Sequence, residues 1–261
     1  MSKKDNIINL EEYQFTNSPK FKSNELLEEA FEAETINKAL KLAKQALEIY
    51  PNNLDAEAFI IENEKSLIKR LKKYDELLVK ATKLLEEENM FDEENIGAFW
   101  GILETRPYMR IRYNRLLLLK ELGRFTEVIK EGEDMIRLCS VENLGVRHIL
   151  LGAYCILEKF EECEAFYKKC VDRSAYMTLP MAVMYFKKGD YKKSKQFLKK
   201  TDEENVFVLD FLLEGLEYET SETGYYSYGS EEEAFFILHD FLYLVASNPL
   251  FLEFVVNEYR K

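Results

Sequence analysis

Apolar residues recur every three or four positions along most of the chain, the spacing that lines them up on one face of an α-helix. Between Ile36 and Tyr50 the stripe is Ala39, Leu40, Ala43, Ala46 and Leu47, and it ends at Pro51-Asn52-Asn53. Before it, Leu26, Leu27, Ala30 and Phe31 predict a helix capped by Asn24. After it, Asn53 or Asp55 is placed to cap a helix over Ala56 to Leu71. Residues 1–23 lack this period and read as a polar N-terminal arm.

One half-unit then recurs. An aromatic residue opens it and small or apolar residues follow at helical spacing: Tyr74 with Leu77, Ala81 and Leu84; Phe125 with Val128, Gly132 and Met135; Phe160 with Cys163, Tyr167 and Cys170; Tyr191 with Ser194 and Leu198. Short turns precede the last three at Gly123-Arg124, Glu158-Lys159 and Gly189-Asp190. Phe125, Phe160 and Tyr191 are 35 and 31 residues apart, close to the period of stacked helix pairs. The 51-residue gap from Tyr74 to Phe125 calls for an inserted helix or irregular segment at 90–105. The pattern predicts an all-α, tetratricopeptide-like solenoid of about five helix pairs with a right-handed superhelix. An ordinary helical bundle is the alternative. The expected divisions are 1–23, the arm; 24–89, N-terminal repeats; 90–220, the inserted helix and central repeats; and 221–261, an aromatic loop with C-terminal capping helices.

Composition agrees with helices. Ten glycines and five prolines in 261 residues are few for a sheet fold with many tight turns. Lys and Arg number 36 against 48 Asp and Glu, a formal net charge of -12. That balance disfavours nucleic acid and anionic membranes as partners, because such binding relies on neutralising phosphate. The start, Met1 to Asn9, has no apolar run of signal-peptide length. The most apolar tail, Ala234 to Val256, is broken by His239, Asp240, Asn248, Pro249 and Glu253, so no membrane span is expected. Cys139, Cys155, Cys163 and Cys170 are too few for a disulfide scaffold and point to a reducing, cytoplasmic setting.

Three strings go beyond a generic repeat: Gly97 to Arg110, containing Glu104-Thr105-Arg106-Pro107-Tyr108-Met109-Arg110; Asn143-Leu144-Gly145-Val146-Arg147; and Tyr226-Ser227-Tyr228-Gly229-Ser230 leading into Glu233-Ala234. Together, over roughly 90–240, they resemble a group of bacterial tetratricopeptide-repeat proteins. The first is also similar to a string in the eukaryotic suppressor-of-tumorigenicity-7 family. The resemblance implies helix pairs after the first string and brings no catalytic activity with it. The turn proline usual in the second string is absent here, and the N-terminal 85 residues lie outside the resemblance.

Chemistry concentrates at Glu104 to Arg115, where Arg106, Arg110, Arg112 and Arg115 face one acid. Thr105 and Pro107 are suited to start a helix there. Guanidinium forks bind carboxylates, so Arg106, Tyr108, Arg112, Arg115, Arg147 and Tyr154 are the candidate partner contacts on a concave face. The alternative is internal, with acids of the chain itself pairing these arginines. Tyr225, Tyr226 and Tyr228 form a second candidate surface, or a loop that seals the repeats. Phe99 and Trp100 read as core wedges. No phosphate loop, nucleophile elbow or paired zinc cysteines are present. No cofactor or metal is expected, and a Cys-His pair such as Cys155 with His148 is the conceivable route to a nucleophile. The sequence therefore predicts a non-enzymatic adaptor or scaffold that binds a protein or peptide, with acidic residues selected by the arginines. The alternatives are a receptor for a small peptide or anionic ligand and, remotely, a helical hydrolase.

Overall fold

The computed structural model describes residues 18–141, 144–215 and 226–259. Among them there are thirteen α-helices and no strand. Within each unit several sequence-adjacent helices pack on one another, and the chain divides into two compact units: residues 1–122 with 137–141, and residues 123–136 with 142–261.

The first unit holds α1 (Pro19–Phe31), α2 (Ile36–Ile49), α3 (Leu54–Glu62), α4 (Leu67–Glu87) and α5 (Arg106–Glu121). Helix α1 begins before the expected Asn24. Ser18 caps it, accepting from the Phe21 N–H at 3.2 Å, and Pro19 takes the first turn, where a missing N–H costs nothing. Residues 19–23 thus belong to a helix and not to the polar arm. Ala39, Ala43 and Ala46 are buried and bring α1 close to α2. Two buried polar residues stitch the layers. Ser23 Oγ donates to the Ala46 carbonyl and accepts from Asn53 Nδ2, each at 2.8 Å. Asn53 Oδ1 in turn caps α3 through the Ala56 N–H at 3.0 Å. Both are fully satisfied, which is what a buried polar group requires.

Other expectations for this unit are tested by the same helices and turns. The helix predicted over Ala56 to Leu71 breaks at residues 63–66, and Ser66 caps a new helix, α4. Of the inserted helix and the irregular segment expected at 90–105, the structure has the irregular segment. Those residues form turns, Gly97 among them and Asn89 just before them have positive φ, and Gly97 N and Phe99 N donate to the Leu138 carbonyl at 2.9 and 3.1 Å. Phe99 is fully buried against Phe91 and Tyr108. Trp100 is only half-buried and is not the core wedge expected.

The second unit contains most of α6 (Phe125–Leu138), then α7 (Val146–Ile156), α8 (Phe160–Lys169), α9 (Ala175–Lys187), α10 (Tyr191–Glu204), α11 (Phe207–Glu214), α12 (Glu231–Ala246) and α13 (Pro249–Tyr259). Gly123, Glu158 and Gly189 each lie two residues before a repeat aromatic, and all three have positive φ (69°, 58° and 80°). The recurrent turn is therefore a recurrent left-handed residue, which phases α6, α8 and α10. Helix α12 lies against α7 and α9. Gly152 of α7 faces Tyr243 and Phe241 of α12, and Phe241 meets Tyr176 of α9 edge-on at 6.1 Å. Ser230 caps α12 through the Glu233 N–H at 3.2 Å, while the Glu233 carboxylate accepts from Gly229 N and Asn205 Nδ2.

Two substitutions test these contacts. A Cβ at Gly189 meets nothing within 4 Å, so Gly189→Val reads the backbone cost alone, about 1–2 kcal/mol in denaturant melts. A Cβ at Gly152 lies inside contact distance of Tyr243 Oη and 2.9 Å from Phe241 Cε1. Gly152→Ala should cost about 1–3 kcal/mol by overpacking, and an unchanged midpoint would place α12 elsewhere.

Candidate functional site

The arginine string braces the first unit. Arg110 forms a forked pair with Asp55 of α3 at 2.9 and 2.6 Å. Arg115 reaches Asp75 of α4 at 2.7 Å. Arg106 Nε donates to the Trp100 carbonyl at 2.8 Å and its guanidinium lies over the indole. The hydrogen bonds of these three support the internal alternative. The paired acids come from preceding helices, whereas Glu104 is exposed. Tyr108 and Arg112 are 5% exposed and face each other, ring to guanidinium, at 5.6 Å. Both side chains are therefore packed inside the first unit. Thr105 does not cap α5. Its hydroxyl donates to the Phe99 carbonyl and to Ile102 O, which ties the preceding turns to the helix start.

The remaining candidates lie in the second unit. Arg147 is half-buried in the first turn of α7. Tyr154 is also 5% exposed, its hydroxyl donating to Glu133 at 2.6 Å, so it too is internal. Burial and this carboxylate push its phenol pKa up. Helix α12 packs on α7 and α9, the first helices of two expected pairs. In the aromatic loop Tyr225 lies outside the described residues. Tyr226 hydrogen-bonds Tyr176 and packs on Phe236, while Tyr228 is held by Glu204, which raises its pKa to about 12.

His148 and Cys155 do not pair. The thiol of Cys155 is fully buried, with its pKa pushed well up by desolvation, and donates to the Pro180 carbonyl at 3.4 Å. His148 Nε2 instead meets Asp172 Oδ2 at 2.9 Å, and its ring stacks on Tyr176 at 4.7 Å. Asp172 also accepts from Ser174 N at 2.8 Å. The His148 bond, with help from the Ser174 donors, holds its carboxyl far below the usual range. The cluster ties the α7 start to the α8–α9 loop.

One feature of the first unit was not predicted. A cleft of about 410 Å³ lies among α2, α3 and α4, within the range of about 300–1,000 Å³ usual for ligand clefts. Leu47, Pro51, Ile60 and Ile61 give it an apolar floor. Lys73, Glu76 and Lys80 line it from α4, and Glu57 from α3. Lys80 Nζ donates to Glu57 at 2.6 Å and to the Pro51 carbonyl at 2.7 Å. Lys73 Nζ donates to Glu64 at 2.8 Å, which, with the Ser66 N–H, holds the Glu64 pKa low. The α3–α4 turn is fastened by Arg70, whose Nε and Nη2 both donate to the Glu64 carbonyl. The sequence signal was present in Phe59-Ile60-Ile61, a run with more apolar residues than one helix face buries.

Among the described residues no group of three or more His, Cys, Asp or Glu could hold a metal ion. No single described helix is long and apolar enough to cross a membrane. Comparison with known proteins gives no matching family model and no similar curated protein.

The His148–Asp172 bond yields a pH prediction. A carboxyl whose folded pKa is depressed stabilises the fold above its unfolded value, near 4, and that stabilisation is lost as pH falls toward the folded value. Asp172→Asn should cost about 1–2 kcal/mol at neutral pH. The gap from the parent protein should shrink below about pH 4. A gap independent of pH across the acid limb would contradict the assignment.

Proposed function

We propose that the chain is a non-enzymatic scaffold of the tetratricopeptide type that holds an amphipathic, acid-bearing segment of a partner protein in the cleft among α2, α3 and α4. The observation that carries this reading is an apolar floor beside the partly exposed ammonium groups of Lys73 and Lys80. Apolar side chains of a partner would leave water on Leu47 and Ile60, and its carboxylates would meet the ammoniums. This is the helix-in-groove mode of recognition. The left-handed turn before three repeat aromatics, and the resemblance of 90–240 to bacterial tetratricopeptide-repeat proteins, support the repeat assignment. The four free cysteines suit a reducing, cytoplasmic setting.

Synthetic amphipathic peptides with leucine on one face, and glutamate or lysine on the other, test the reading by fluorescence anisotropy with the full chain. The glutamate set should bind, weaken as salt rises, and lose about tenfold or more in affinity with Ile60→Asp. Equal binding of both sets, or full binding to Ile60→Asp, would remove the cleft as the partner site.

A further inference from the structure

Resting on the cleft assignment, we infer that its occupant is a helix whose charges run acidic, basic, acidic along one face. Helix α4 presents Lys73, Glu76 and Lys80 to the cleft. Positions i, i+3 and i+7 share one face of a helix. Along α4 the charge order is therefore positive, negative, positive.

The two lysines are two turns apart, about 10.5 Å at 1.5 Å per residue. A partner helix has the same rise, so carboxylates at its own i and i+7 match both ammoniums. An extended segment fits badly. At about 3.3 Å per residue it spans this distance in three residues, and residues three apart on a strand point to opposite faces. Geometry thus selects a helix.

Both ammoniums can accept a further carboxylate. Lysine has three N–H donors. Lys73 uses one on Glu64, and Lys80 uses two, on Glu57 and the Pro51 carbonyl. Glu76 is 68% exposed and is held only by Lys72, at 3.9 Å. It repels an acid at the middle of the partner's stripe and favours a base. The partner's motif is Glu-x-x-Lys-x-x-x-Glu when it runs parallel to α4 and Glu-x-x-x-Lys-x-x-Glu when antiparallel. Apolar residues on the adjoining stripe reach Leu47 and Ile60. A second α4 laid in register would set like charges against like.

The test uses the full chain and labelled synthetic helices of one composition. Two carry the motifs above, one has its carboxylates five positions apart, and one has a central glutamate. The better motif peptide should bind about tenfold more tightly than the five-apart control. Glu76→Lys, an exposed change that leaves the circular dichroism melt in place, should shift preference by about tenfold toward the central glutamate. Equal affinity for all acidic peptides, still lost in Ile60→Asp, would overturn the charge order and leave the cleft assignment standing. Binding indifferent to Ile60→Asp would overturn both. Tighter binding of a proline-containing, non-helical acidic peptide would overturn the helical occupant. Self-association of the chain that Glu76→Lys abolishes would assign the face to a second copy and sink the proposal.

Discussion

The cleft depends on one interruption, the four residues between α3 and α4. Had the helix run on from Ala56 to Leu71, Lys73 and Lys80 would continue its axis instead of standing beside Ile60. Side chains bonding to the backbone make the stop. Asn63 Nδ2 donates to the Phe59 carbonyl at 2.9 Å, so the amide satisfies a carbonyl at the end of α3. Glu64 Oε1 accepts from Ser66 N at 3.2 Å, Ser66 caps α4, and Arg70 grips the Glu64 carbonyl. The Tyr74 hydroxyl then donates to Glu62 and accepts from Asn114 at 3.1 Å, which joins the end of α3 to α4 and α5. The arginines add to the same frame: Arg110 holds Asp55 of α3 and Arg115 holds Asp75 of α4. These pairs join α5 to two of the helices that line the cleft.

The second unit treats its first-helix face differently. Gly152 lets α12 approach α7 to a distance that no side chain there would permit, and Phe241 extends the contact to Tyr176 on α9. Ile237, Leu238, Phe241 and Leu244 of α12 are buried as thoroughly as the helices beneath them. A face filled in this way has little apolar surface left for a partner.

Helical periodicity was legible wherever packing alone set it. Helix α2 was expected over Ile36 to Tyr50 and runs Ile36–Ile49. The turns before Phe125, Phe160 and Tyr191 were legible from spacing, although a glutamate in left-handed backbone at 158 was not. What escaped is local polar chemistry. Asn63-Glu64-Lys65-Ser66 contains no glycine or proline, and each residue is tolerated in a helix. The stop arises from side-chain bonds that compete with the backbone ladder, which a one-dimensional pattern does not display. The cleft lay at that break and was missed with it. The arginines were visible, but their acids, Asp55 and Asp75, lie 55 and 40 residues away in sequence. Only the fold brings them together.

The proposed partner site lies among α2, α3 and α4, where two lysines stand beside an apolar floor. Hydrogen exchange on the full chain, with and without a saturating acidic amphipathic helix, tests that placement most directly. The account predicts slowed exchange in peptides spanning residues 47–80, with no change over Val146–Ile156 or Ala175–Lys187. Protection confined to those second-unit helices, with residues 47–80 unaltered, would contradict it.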